Sequence, residues 1–207
     1  MNLFSRNGAV RSAASLFVAA SFPNVIVTHE TSHDVAARER LLDRAFGPGR
    51  HLKTSARLRA GREPASGLSL VARDCETDQL LGTVRLWNVA FGDDADEQAA
   101  LLLGPLAVDP EVQGAGVGCK LMRHAIAEAT FRGHAAVILV GNPEYYARFG
   151  FSSDKTGDLR LPGPVEQHRF LGLDLRPGAL AGARGLVRAT GKLATAANDH
   201  RLTALAV

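Results

Sequence analysis

Cysteine is nearly missing from this chain: among 207 residues, only Cys75 and Cys119 carry thiols. Their separation makes neither a metal-ligand pair nor a disulfide framework, so no metal and a reduced, cytoplasmic protein are the expectation. Long apolar runs are missing as well. None approaches the ~20 residues of a membrane-crossing helix, and no membrane partner is expected. Charge of one sign is scarce: 24 basic against 21 acidic residues leave a formal net charge of +3. The arginines are scattered rather than gathered in a stripe, so no nucleic-acid partner is expected. No linker divides the chain, whose length suits one domain with a full core. Acid is absent before Glu30, where Arg6 and Arg11 stand among serines and alanines. That composition reads residues 1–23 as an N-terminal extension, disordered or targeting.

Glycine, by contrast, is plentiful, and Gly114, Gly116 and Gly118 fall together after the run Leu106-Ala107-Val108-Asp109-Pro110. The stretch reads as a strand, a glycine-rich turn and the start of a helix. Glycines there let backbone N–H groups approach an anion, and the helix N-terminus adds partial positive charge. The turn is therefore a candidate phosphate or pyrophosphate cradle. The glycines alone also fit a tight strand-to-helix connection with no ligand. No Gly-Lys-Ser/Thr follows, which excludes a P-loop. The glycine spacing is not that of the dinucleotide fingerprint. The acid expected about 20 residues later is missing as well, since residues 135–140 are wholly apolar.

Around this turn, strand and helix signals alternate. Residues 24–29, 68–73, 80–89 and 100–108 read as strands, the second and third as a hairpin. A helix capped at Thr31 or Ser32 runs to Phe46, where Gly47-Pro48-Gly49 breaks it. A shorter helix follows over 51–58. Residues 116–132 place Val117, Leu121, Ala125, Ile126 and Ala129 on one helical face, and Gly133-His134 ends it. Residues 135–140 form a buried central strand and 168–175 a last one.

Two motifs in this order carry a family resemblance. Gln113-x-x-Gly116-x-Gly118 resembles the acetyl-CoA pyrophosphate loop of the GNAT acetyltransferase superfamily. Asn142-Pro143-x-Tyr145-Tyr146-x-Arg148-Phe149-Gly150-Phe151 is similar to a later motif in the branch of predicted bacterial N-acetyltransferases labelled YhbS-like. The resemblance spans residues 24–180 and leaves 181–207 an unassigned tail. It implies an α/β (α+β) GNAT fold: a mixed, mostly antiparallel sheet, helices on both faces, and a splayed parallel strand pair that binds acetyl-CoA. By position, the backbone of Leu106, Ala107 and Val108 would pair with the pantetheine amides. Gln113, Gly114, Ala115, Gly116, Val117 and Gly118 would cradle the pyrophosphate, and Asn142 would touch the pantetheine arm. Pro105 has no N–H to offer.

The implied reaction is direct transfer of an acetyl group from acetyl-CoA, a co-substrate, to a primary amine of a small molecule or protein. A base or water relay must leave the amine neutral, a donor must meet the oxyanion, and the leaving thiolate needs a proton or hydrogen bond. The resemblance puts Tyr146, in Tyr-x-x-x-Gly-Phe, in the cofactor site as general acid, and a phenol of pKa near 10 can serve a thiolate. Tyr145 reads as a packing aromatic. Glu97, Glu111 and Glu144 are candidate bases by residue type alone. Cys119, in the first turn of the helix, could form an acyl-enzyme where the family transfers directly. His124 and His134 read as surface residues, and Trp87 as core or as a wall of the acceptor pocket. A homodimer is frequent among similar proteins. The alternative function is a non-catalytic acyl-CoA-binding sensor or scaffold.

Overall fold

Alternating apolar residues in the first half of the chain and a continuous apolar run in the second build one mixed sheet. It is seen here in a computed structural model that describes residues 24–93 and 96–195. Residues 1–23, read as an extension, and residues 196–207 of the tail lie outside the described residues. The strands are β1 (Val25–His29), β2 (Ser69–Asp74), β3 (Leu80–Phe91), β4 (Gln98–Val108), β5 (Ala136–Val140) and β7 (Phe170–Asp174), hydrogen-bonded in that order. Among the described residues of this sheet, only the β4–β5 pair is parallel, and every other neighbour is antiparallel. This is the architecture that the GNAT resemblance implies, with helices on both faces.

Helix α1 (Val35–Phe46) and the single turn α2 (Thr54–Arg57) cover one face. Leu41 and Leu42 of α1 pack on Val71, Leu80 and Ala107. Thr31 caps the turn that leads into α1, its N–H donating to Asp34 Oδ2 at 2.7 Å. Helix α3 (Val117–Phe131) covers the other face. Its residues Val117, Leu121, Ala125 and Ala129, spaced one turn apart, are fully buried against β1 to β5. The helix ends where Gly133 N–H donates to Thr130 O and His134 N–H to Ala129 O, a pair of bonds that closes its last carbonyls. Helix α4 (Pro143–Ala147) follows β5 on the same side, with Tyr145 and Tyr146 against that core.

The segment after Leu180, unassigned from sequence, belongs to the fold as far as it is described. Strand β8 (Arg184–Leu186) pairs in parallel with β6 (Asp158–Arg160), and β9 (Arg188–Ala189) pairs with β3. Leu180, Ala183 and Val187 complete a second core with Trp87, Phe91 and Phe170 on the α1–α2 face. These strands have two or three residues each, too short for an alternating pattern to register.

Candidate active site

Two irregularities in β4 open the sheet. Leu86 faces Leu103 across the β3–β4 ladder, and Val84 faces Leu106, so Gly104 and Pro105 together oppose Arg85. That extra residue is a β-bulge, which bends the strand that carries it. Gly104 sits at φ +133, a region that side chains rarely enter. The indole Nε1 of Trp87 donates to Gly104 O at 2.6 Å and fixes the bulge from below. Trp87 is therefore a core residue rather than a pocket wall. On the other side of β4, the ladder to β5 consists of Leu101–Val137 and Leu102–Ile138. Beyond Leu102 the two parallel strands diverge, and the β4 backbone facing β5 loses its partner.

The resulting wedge is a cavity of about 600 Å³. Its lining joins Leu103, Gly104, Pro105 and Leu106 of β4 to Val140, Gly141 and Asn142 at the end of β5, with Gln113 and both tyrosines. Leu106, Gln113, Asn142 and Tyr146 are thus brought together. Ala107 and Val108 run on beside Thr83 and Gly82 of β3, outside the lining. The side-chain oxygen of Asn142 accepts from Glu144 N–H at 2.9 Å and caps α4, a task its sequence position did not reveal.

The glycine loop lies at the α3 end of β4. Asp109, buried and ion-paired to Arg44, accepts from Glu111 N–H and starts the turn. Gln113 N–H and Ala115 N–H are spent on Pro110 O and Val112 O, and the first bond of α3 runs from Lys120 N–H to Gly116 O. The amides of Gly114, Gly116, Val117, Gly118 and Cys119 meet no acceptor among the described residues. Gly114 at φ +87 and Gly116 at φ +81 adopt the left-handed conformation that turns these N–H groups outward. A side chain at either would meet open space, so backbone conformation alone requires glycine here. Unsatisfied amides around a helix N-terminus form an anion site.

Helix α4 presents its two tyrosines differently. A Cβ at Gly141 would lie 2.2 Å from the Tyr146 ring, so this glycine lets Tyr146 close over the end of β5. Phe151 and Tyr145 flank that ring edge-on, at 5.9 and 4.9 Å between centroids. Burial, with Tyr145 alongside, pushes the Tyr146 phenol up to about 12. Tyr145 turns towards α3. Its hydroxyl lies 2.7 Å from where a Cβ on Gly118 would be, and burial, with the Cys119 sulfur beside it, raises it to about 12. Arg148 stands 4.9 Å over the Tyr145 ring and 3.9 Å from Cys119 Sγ, which sets a cation beside the glycine loop.

The candidate bases lie elsewhere. Glu97 pairs with Arg188 at 2.7 Å, Glu111 is exposed on the turn after β4, and Glu144 is exposed on α4. None of them lines the wedge; nor do Cys119, His124 or His134. What the sequence reading missed is the lining from the α1–α2 side: Phe46, Arg50, Lys53, Ser55, Arg59 and Arg169. Arg50 is anchored from behind by Asp43 at 2.8 Å and by Glu39. Burial opposes ionisation of Glu39, but hydrogen bonds and charge from Arg38 and Arg50 outweigh it and hold its carboxyl at about 2. Among the described residues, no group of three or more His, Cys, Asp and Glu could hold a metal, and no helix is long and apolar enough to cross a membrane.

Comparison with known proteins agrees with this architecture. The model of the acetyltransferase (GNAT) domain matches residues 65–153, from just before β2 to beyond α4. The uncharacterized N-acetyltransferase YjhQ of Escherichia coli is 32% identical over 151 residues, 69% of this chain and 82% of that protein. The uncharacterized N-acetyltransferase YhbS of the same organism is 32% identical over 164 residues, 79% and 95% of the two chains. The structure of E. coli YhbS in complex with CoA superposes with a TM-score of 0.67 at 29% identity, covering 81% of this chain and 90% of that one. A GNAT acetyltransferase from Brucella melitensis in complex with acetyl-CoA gives 0.58 at 27% identity, covering 84% and 98%.

Proposed function

The chain belongs to the GNAT acetyltransferase family, and from that premise we propose that it transfers an acetyl group from acetyl-CoA directly to a primary amine. The observation that carries this reading is the succession of three features along and beside β4: the free amides of Gly114 and of residues 116–119, the unpaired β4 edge at Leu106, and the Tyr146 phenol at the end of β5. A diphosphate fits the first and a pantetheine amide chain the second. The thioester end then lies beside the third. The CoA complex of YhbS and the acetyl-CoA complex of the Brucella protein support the same occupant here.

Acetyl-CoA supplies an activated acyl group and a thiolate leaving group. The chain's own residues do the rest. Free backbone amides of β4 beyond Leu102 are preorganised donors for the oxyanion, with Pro105 excepted. Tyr146 stays protonated across the working pH range. Burial raises its phenol to about 12, so it gives up its proton less readily than an ordinary phenol. Tyr146 therefore stabilises the leaving sulfur by donating a hydrogen bond, and solvent completes the protonation. The described lining holds no carboxylate or histidine, so water carries the amine proton away. Free Cys75, exposed, and free Cys119 suit a reducing compartment such as the cytoplasm.

A thiol-release assay with acetyl-CoA and an amine panel tests this reading. Tyr146→Phe should lose most turnover and keep its affinity for CoA. A binding module would give no turnover in either form while still binding CoA, and that result would overturn the enzymatic assignment.

A further inference from the structure

We propose that the accepted amine belongs to a small molecule that also carries an anionic group, a carboxylate or phosphoryl, held by the α1–α2 side of the wedge. The inference rests on the acyl-transfer reading above and names its acceptor class. Among the described residues that line the cavity, Arg50, Lys53, Arg59 and Arg169 are cationic and no Asp, Glu or His is present. The chain as a whole is nearly charge-balanced, so this one-sided lining is a local arrangement rather than a reflection of composition.

Arg50 and Arg169 are balanced from behind. Arg50 is tied to Glu39 and Asp43, and Arg169 lies 3.6 Å from Glu166. Lys53 is not. Its ammonium lies 4.6 Å from the centroid of the Phe46 ring, and no carboxylate among the described residues reaches it. Lys53 is exposed at the cavity mouth, where its charge is uncompensated and its position is fixed by the aromatic face. An anionic group on the acceptor completes that pairing.

The same field acts on the nucleophile. A positive surrounding disfavours an ammonium ion and favours the neutral amine. A cavity without a base can thus select for a reactive protonation state through charge alone. Polyamines and lysine side chains, cationic without a compensating group, are disfavoured. The cavity of about 600 Å³ holds a pantetheine arm and a small molecule, not a stretch of folded protein. The cofactor's own phosphates are the other anions that these cations could serve, and they are separable by experiment.

The test uses the full chain with acetyl-CoA and paired amines: glycine with glycinamide, phosphoethanolamine with ethanolamine, and spermidine alone. CoA affinity is measured by calorimetry in parallel. The anionic member of at least one pair should be preferred by about tenfold or more in kcat/KM. Lys53→Glu should abolish that preference through KM, Lys53→Arg should keep it, and CoA affinity should stay within about twofold in both. Three results overturn the inference while CoA still binds. One is preference for spermidine or the neutral members. Another is no turnover and no calorimetric binding of any anionic amine to the CoA complex. The third is a loss in Lys53→Glu that falls on CoA instead of the amine, which would assign the cations to cofactor phosphates. Failure of the wild-type chain to bind CoA would instead sink the acyl-transfer reading beneath it.

Discussion

The two ends of the wedge are built from different materials. Towards α3 the site is backbone: amides of Gly114 and of residues 116–119 and the released edge of β4, arranged by φ angles and a bulge. Towards α1 and α2 it is side chain, with Arg50, Lys53, Arg59 and Arg169 carried by separate segments. A backbone cradle recognises what every acyl-CoA shares and tolerates drift in most side chains. A side-chain lining can be rewritten one residue at a time, and on the proposal above it sets which amine enters. On the reading proposed above, the physical division between the ends is also a division of labour between cofactor and acceptor.

The sharpest way to break that division is at its midpoint. Tyr146→Phe removes the donor at the reacting sulfur and should lower kcat by about 10²-fold, with CoA affinity unchanged by calorimetry. A proportional loss of CoA binding would mean that the ring packs the cofactor rather than serving the chemistry. Gly141→Ala forces a methyl into the Tyr146 ring and should cost about 1–3 kcal/mol in denaturant unfolding. Its kcat should fall alongside, because the phenol is displaced. At the backbone end, Gly116→Ala meets open space and only a φ of +81, so the strain is about 1–2 kcal/mol. CoA affinity should weaken there while the KM for the amine holds steady.

The smallest effects come from pH. Glu39 is held at about 2, below its ordinary 4.5, so its contribution to stability is complete above 4.5 and fades as pH falls towards 2. Glu39→Gln should therefore be less stable than wild type at pH 6, with the two melting curves converging near pH 2. Tyr146, raised to about 12, predicts a kcat profile with no basic limb below about pH 11. A downturn at pH 9 to 10 would show an unperturbed phenol at work.

The same contrast explains what could be read from the sequence. The strand, glycine turn, long helix and Tyr-x-x-x-Gly-Phe segment are contiguous, and each signal is local: a positive φ needs glycine, and a buried face needs apolar residues at helical spacing. Residues 99–151 were accordingly legible. The cationic lining was not, because Lys53 and Arg169 are far apart in the chain and reach one cavity only through the fold, which buries Leu58 and Phe170 in the second core. Scattered arginines carry no periodicity. Asn142 was legible as a cavity residue, but its capping bond depended on the start of α4, and β6, β8 and β9 were too short to see.

The most direct measurement is a crystal structure of the chain with CoA. Diphosphate oxygens should lie about 2.7–3.2 Å from amides of Gly114, Gly116, Val117, Gly118 or Cys119, with the pantetheine arm along β4 at Leu106 and its sulfur beside Tyr146 Oη. A diphosphate seated instead among Arg50, Lys53 and Arg59, with those amides facing solvent, would contradict the assignment of the two ends.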